Sequence, residues 1–270
     1  MLLDRLKIVN NDSMNPPEPL ITFSQALGDP NADLAILAEG NTSCKDVEDE
    51  GYFWVKASGK SLRFADSNSF CKAKREPLLK LIESSSLPCD DEIKRILVDS
   101  SQARKSDLIP SVESFMHAWL LEQDGVNWIA HTHPEVLLSL LCTEDPFQWA
   151  DKPLFPDEIV CCGPVACTVK YVDPGLILAR EIAKSVNIYK DKHGMMPKVI
   201  WLQNHGLITL GATLNEALSA TYMSAKVARV RLGALQTGRK IVPLPEEAIS
   251  RIDNRPDEHH RKRLLESPDF

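Results

Sequence analysis

The chain has 270 residues, 43% of them hydrophobic and 26% charged, a composition that excludes disordered, collagen-like and coiled-coil chains. This length buries a sizeable core without disulfide support, as one large domain or two small ones. The net charge of −7 argues against a basic nucleic-acid-binding surface. It leaves room for an anionic small substrate, because a local pocket can oppose the overall charge.

The N-terminus does not read as a signal peptide, since Asp4, Arg5 and Lys7 interrupt it and Asn10-Asn11-Asp12 follows. The longest apolar stretches, such as Leu137–Cys142, fall far short of the roughly 20 residues that span a bilayer. The seven cysteines show no CxxC spacing, so a thiolate zinc site is not indicated and reduced thiols in a cytoplasm are the simplest reading.

In chain order, the polar lead-in MNPPEP precedes a short helix at about 21–27, ended by Gly28-Asp29-Pro30. The apolar run LAILA (34–38) and YFWVKA (52–57) read as two strands of a hairpin around an acidic tip from Asp46 to Gly51. Segments 76–84 and 91–99 have apolar residues at helical spacing. Pro110-Ser111 opens a helix from about 112 to 122, and Asp124-Gly125 stops it. The apolar run 126–130 leads to His131-Thr132-His133, and Pro134 opens a helix over 135–142. Short strands are predicted over 159–172 around Gly163-Pro164, a helix over 174–189, strands at 198–202 and 206–210, and a long helix from Thr213. After Gly238 the sequence turns Pro-rich and charged, a tail that docks elsewhere or stays mobile. With no clear linker, this predicts a single α/β domain over 1–240, helices covering a sheet, followed by a C-terminal tail over 241–270.

The sharpest chemical signal is His131-x-His133. In extended chain, alternate residues point to one side, so two imidazoles can converge on one cation. Alone, such a pair is an ordinary accident of sequence. Its position, between an apolar strand and a proline-opened helix, is where functional groups concentrate. His205, between two strand-like runs and followed by Gly206 in a tight turn, is a third candidate. His193 and the His259–His260 pair sit in charged stretches and read as solvated. Glu113, in the first turn after Pro110-Ser111, suits the helix dipole or serves as a catalytic acid/base or a switchable metal ligand. His117, one turn on, reads as packing or support. Gly40-Asn41-Thr42-Ser43 and Ser58-Gly59-Lys60 are donor-rich turns whose N–H and hydroxyl groups suit an anion or phosphate. Neither is a P-loop, and taken singly each is a structural turn.

Together, Glu39-Gly40-Asn41-Thr42-Ser43, Lys56-Ala57-Ser58-Gly59-Lys60, Pro110-Ser111-Val112-Glu113, His131-Thr132-His133-Pro134 and Asn204-His205-Gly206-Leu207 resemble the motifs of the class II aldolase/adducin family, the zinc-dependent sugar-phosphate aldolases and their relatives. They span roughly residues 34–235 in family order. The first two motifs are closest in wording to the aldolase portion of rhamnulose-phosphate aldolase/dehydrogenase proteins, while the dehydrogenase half, with its GxGxxG, is not expected in these 270 residues.

The resemblance implies a single-domain α/β/α fold around a mostly antiparallel sheet, commonly assembled as a homotetramer. It implies Zn2+ or another divalent metal on His131, His133 and His205, with Glu113 as the catalytic residue. It further implies a substrate phosphate held by Asn41, Ser58, Gly59 and Ser111, with Gly40 shaping the loop. Many members carry a second serine before the glutamate; Val112 stands there, and Lys60 is the candidate to compensate. The C-terminal aromatic of some members has no clear counterpart, since Tyr222 lies in a helix and Phe270 is the last residue. The implied activity is retro-aldol cleavage of a ketose 1-phosphate through a zinc-stabilised enediolate. The alternatives are a sugar-phosphate 4-epimerase, a decarboxylase of sugar-acid phosphates, a dehydratase, or a non-catalytic adducin-like binding module. The expected partner is a small sugar phosphate or sugar-acid phosphate, with no nucleic acid and no membrane.

Overall fold

The computed structural model describes residues 15–102 and 108–255; the predicted solvated pair His259–His260 lies outside them. The first element is α1 (Glu18–Leu27). Pro19 falls in its first turn, where a missing N–H costs nothing, and Gly28 ends it. Residues 34–38 do not form the predicted strand. Asp33 and Leu37 have φ of 56° and 51°, which break an extended run. Leu34 alone inserts into the core, while Ile36 and Leu37 face solvent. The run is a loop anchored by one leucine, and β1 begins later, at Asn41–Lys45.

A hairpin does close around the acidic tip, with β2 (Tyr52–Lys56) as predicted, but its partner strand is β1 and not residues 34–38. Next come β3 (Phe70–Lys74), α2 (Arg75–Glu83), α3 (Asp90–Ser100), β4 (Ser101–Gln102), α4 (Ser114–Leu121), β5 (Trp128–Thr132) and α5 (Glu135–Leu141). Helix α6 (Pro156–Cys162) takes residues predicted as strand. Pro156, Asp157 and Glu158 in its first turn and Gly163 (φ 81°) at its end are helix punctuation that outweighs the β-branched Ile159-Val160. The chain continues with β6 (Cys167–Val169), α7 (Leu176–His193), β7 (Val199–Leu202), β8 (Gly206–Gly211) and α8 (Leu214–Gln236). The Thr213 side chain caps α8, accepting the Glu216 N–H at 3.2 Å. Beyond Gly238, α9 (Glu246–Asp253) docks on α6, where Leu244, Ile249 and Ile252 pack against Ile159 and Val160. No helix of the described residues is long and apolar enough to cross a membrane.

The strands form one sheet in the order β4-β3-β2-β1-β5-β8-β7-β6. Every pair is antiparallel except β6 with β7, which α7 connects as a crossover. Helices cover both faces. One core lies between the sheet and α2, α3, α4 and α7, around Phe53, Phe115, Ile129, Ile182 and Ile208. Opposite it, α1, α5, α6 and α8 cover Trp54, Ala130, Trp201 and Leu207. This is the α/β/α arrangement around a mostly antiparallel sheet that the family resemblance implies.

Antiparallel alternation has one consequence for function. The start of β1, the end of β2, the end of β5 and the start of β8 all fall at the same end of the sheet. Asn41 pairs with His131, and Thr132 with Leu207. Segments distant along the chain thereby meet at one rim.

Candidate metal centre and active site

At this rim His131, His133 and His205 converge. Their ligand-capable nitrogens lie within 4.8 Å of one another. His131 is fully buried at the end of β5, and His133 follows two residues later. The β7–β8 turn delivers His205. Gly206 is required there, because a Cβ would stand 2.5 Å from the Thr132 carbonyl and 2.8 Å from the His133 ring. Gly40 has a similar constraint beside β5. Its φ is +71°, and a Cβ would meet the His131 carbonyl at 2.8 Å.

Hydrogen bonds fix two of the three ring orientations. His131 Nδ1 lies 3.0 Å from the Leu207 carbonyl, and His133 Nδ1 lies 3.3 Å from Glu39 Oε2. A carbonyl and a carboxylate only accept, so both Nδ1 atoms donate. Each Nε2 therefore presents a lone pair when its ring is neutral, and these two Nε2 atoms stand 3.0 Å apart. Two facing lone pairs at that distance repel unless an electrophile lies between them. Glu113 Oε1 adds another acceptor, 3.3 Å from His131 Nε2 and 3.1 Å from His205 Nε2. Three imidazole nitrogens beside a carboxylate oxygen are a donor set suited to zinc or a similar divalent cation. The carboxylate behind His133 is the support that orients ligand histidines.

Electrostatics follow from this packing. Burial pushes the Glu113 carboxyl up, but the imidazoles of His131 and His205 outweigh it and hold it well below the usual carboxylate range. Burial, with the neighbouring His131 and His205, lowers His133 to about 3. For His131, burial works downward, yet the Glu113 carboxylate holds the ring above its usual value. His117 is fully buried, bonded to Ser43 Oγ at 2.7 Å and pushed down to about 3 by burial, so it is a neutral packing group behind the site.

Glu113 sits at the N-terminal end of α4. Its backbone N–H donates to Ser111 Oγ at 3.3 Å, and its Oε2 accepts a hydrogen bond from Asn41 Nδ2. An isolated bridge between Ala57 and Pro110 sets the turn at Ser58-Gly59 beside Ser111. Ser58 donates its N–H to Ile109, and Gly59 has φ +72° in open space. Ser58 and Ser111 line one cavity of about 500 Å³, whose walls include Ile93, Ile109, Val112 and Leu176. The structure thus brings the residues singled out in the sequence to one rim: Asn41 and Glu113 beside the histidines, Ser58 and Ser111 on the adjoining cavity. Tyr222 lies elsewhere, with its hydroxyl donating to Ala26. Sequence reasoning passed over Glu39 and Lys56. Both stand inside recognised motifs, and only their side-chain partners distinguish them from surface charges.

The model of the class II aldolase and adducin N-terminal domain family matches residues 20–232. Over 228 residues the chain is 27% identical to YuxG, an uncharacterized oxidoreductase of Bacillus subtilis (strain 168), covering 79% of this chain and 30% of that relative. The chain therefore spans about a third of that relative's length. Among solved structures, YgbL of Escherichia coli, a putative aldolase/epimerase/decarboxylase, superposes with a TM-score of 0.64 at 17% identity, over 88% of this chain and 97% of that one. An L-fuculose 1-phosphate aldolase of Glaciozyma antarctica PI12 superposes with a TM-score of 0.62 at 16% identity, over 94% and 95%. At these identities the two structures establish the shared fold alone.

Proposed function

From the premise that the chain belongs to the class II aldolase and adducin family, we propose that it is a metal-dependent aldolase that cleaves a ketose 1-phosphate into dihydroxyacetone phosphate and an aldehyde. The observation that carries this reading is the convergence of His131 and His133 Nε2 lone pairs at 3.0 Å beside His205 and Glu113. In the proposal, His131, His133 and His205 hold the cation, which when bound supplies Lewis-acid stabilisation of negative charge next to the substrate carbonyl. Glu113 moves a proton at the carbon that loses its partner, through the carboxylate that Asn41 orients. Asn41, Ser58, Gly59 and Ser111 hold the phosphate and so fix the reacting carbons relative to Glu113. Because His131, His133 and His205 would bind as neutral imidazoles, a bound cation would keep its charge for the substrate instead of having it cancelled by its ligands. The reading includes a homo-oligomer; Ile36, Leu37 and Phe64 expose apolar surface on one cavity beside the site.

The test is to incubate the zinc-loaded chain with a panel of ketose 1-phosphates and sugar-acid phosphates, reading products by mass spectrometry. Dihydroxyacetone phosphate should form, stop with chelator and return with zinc. Full turnover in a His131→Ala, His133→Ala double variant would refute the reading. An epimerised, decarboxylated or dehydrated product in place of cleavage would replace the aldolase assignment with that chemistry.

A further inference from the structure

The proposed phosphate cradle has an electrostatic problem. Asn41, Ser58, Gly59 and Ser111 are neutral donors, and Val112 offers no hydroxyl. A phosphate held mainly by neutral groups in a partly desolvated place calls for positive charge close by. Lys60 is the cation nearest in sequence. Its charge acts on the Asp66 carboxyl, as a minor contributor beside that residue's bonds to Ser69 and Asn68.

Lys56 is placed differently. It is the last residue of β2 and only 1% exposed. Its Nζ donates to the Ala38 carbonyl at 3.1 Å and to the Lys60 carbonyl at 2.5 Å. Those carbonyls belong to the two loops that carry the cradle, the one leading into Gly40-Asn41 and the one containing Ser58-Gly59. An ammonium has three N–H donors, and these two bonds leave one. Burial lowers the group to about 8, while attraction from the Glu113 carboxylate works the other way, so its charge is felt at the site. A buried lysine is a costly feature, and the tie between two functional loops accounts for it.

We propose that Lys56 is the positioning residue of the anion cradle: its buried ammonium clamps the 38–41 loop to the 58–60 loop and supplies the positive charge behind the substrate phosphate. This rests on the phosphate subsite of the reading above.

The experiment compares full-length, zinc-loaded wild type, Lys56→Met and Ser58→Ala, measuring inorganic phosphate binding by calorimetry, zinc content and melting temperature. Lys56→Met should keep its zinc yet bind phosphate ~10-fold or more weakly, as befits loss of a charged donor. A folded, zinc-retaining Lys56→Met with wild-type phosphate affinity would overturn the proposal; if Ser58→Ala is weakened at the same time, the phosphate subsite itself stands. Wild type that binds no phosphate overturns the subsite and the proposal together. If Lys56→Met does not fold, Lys56→Arg against Lys56→Gln decides. Arg, which keeps the charge, should bind phosphate more tightly than Gln, and equal affinities would refute the role of charge.

Discussion

The two ends of the β1–β2 hairpin hold two buried charged clusters built on opposite plans. At the tip, the Asp46 carboxylate is surrounded by donors. Oδ1 accepts the N–H groups of Glu48 and Asp49, and Oδ2 accepts Trp54 Nε1 at 2.8 Å and the Lys72 ammonium at 2.9 Å. At the rim, Glu113 Oε1 faces the Nε2 atoms of His131 and His205, and the Nε2 atoms of His131 and His133 face each other as acceptors when both rings are neutral. Burial is similar in the two places, so burial does not separate them. Satisfaction does: the first cluster is complete within the chain and stabilises it, while the second is complete only around something electrophilic. That contrast marks the rim, and not the tip, as the place with room for a ligand.

Substitutions at each end should separate stability from activity. Glu113→Gln should lower turnover by about 10²–10⁴-fold with the melting temperature held or raised, read by product formation and calorimetry. Asp46→Asn should do the reverse. Breaking its pair with buried Lys72 should cost about 3 kcal/mol of stability in denaturant titration, with turnover of the folded fraction unchanged. Glu39→Gln removes the carboxylate behind His133, and divalent-metal affinity should fall by about 10- to 100-fold in a chelator competition, with little change in stability. The smallest effect is in pH. Burial pushes Asp46 up, but the Lys72 ammonium and the backbone N–H groups outweigh it and set its folded value below the ordinary 3.8. The stability it contributes is therefore present in full above the ordinary value and is lost as pH falls through the folded one. Melting temperature against pH should fall less steeply in Asp46→Asn than in wild type across that acid range.

Much of this was legible in the sequence because it rests on local rules. Thr213 starts a helix, Gly28 ends one, and Pro134 opens one; each follows from backbone chemistry within a few residues. The His-x-His pair and His205 were visible as residue types at strand ends, and the structure places them together with Glu113. Other features were hidden by partners far along the chain. Lys72 disguised β3, since a buried lysine reads as solvent-facing until Asp46 is seen beside it. LAILA carries a strand's composition, yet only Leu34 found a place in the core. Residues 159–162 carry a strand's composition too, but Pro156 and Gly163 enclose them in a helix.

By itself the sequence determined most of the helices and the strands that lead to the histidines, the chemical identity of three imidazoles and a carboxylate, and the family that its motifs resemble, because propensity, capping and ligand chemistry belong to residues and their near neighbours. Tertiary structure alone decided which strand ends share a rim, which nitrogen of each ring is turned inward, and that Glu39 and Lys56 stand behind the site instead of in solvent. Those facts depend on sheet order and on carbonyls and carboxylates tens of residues away, and no local rule carries information over that distance.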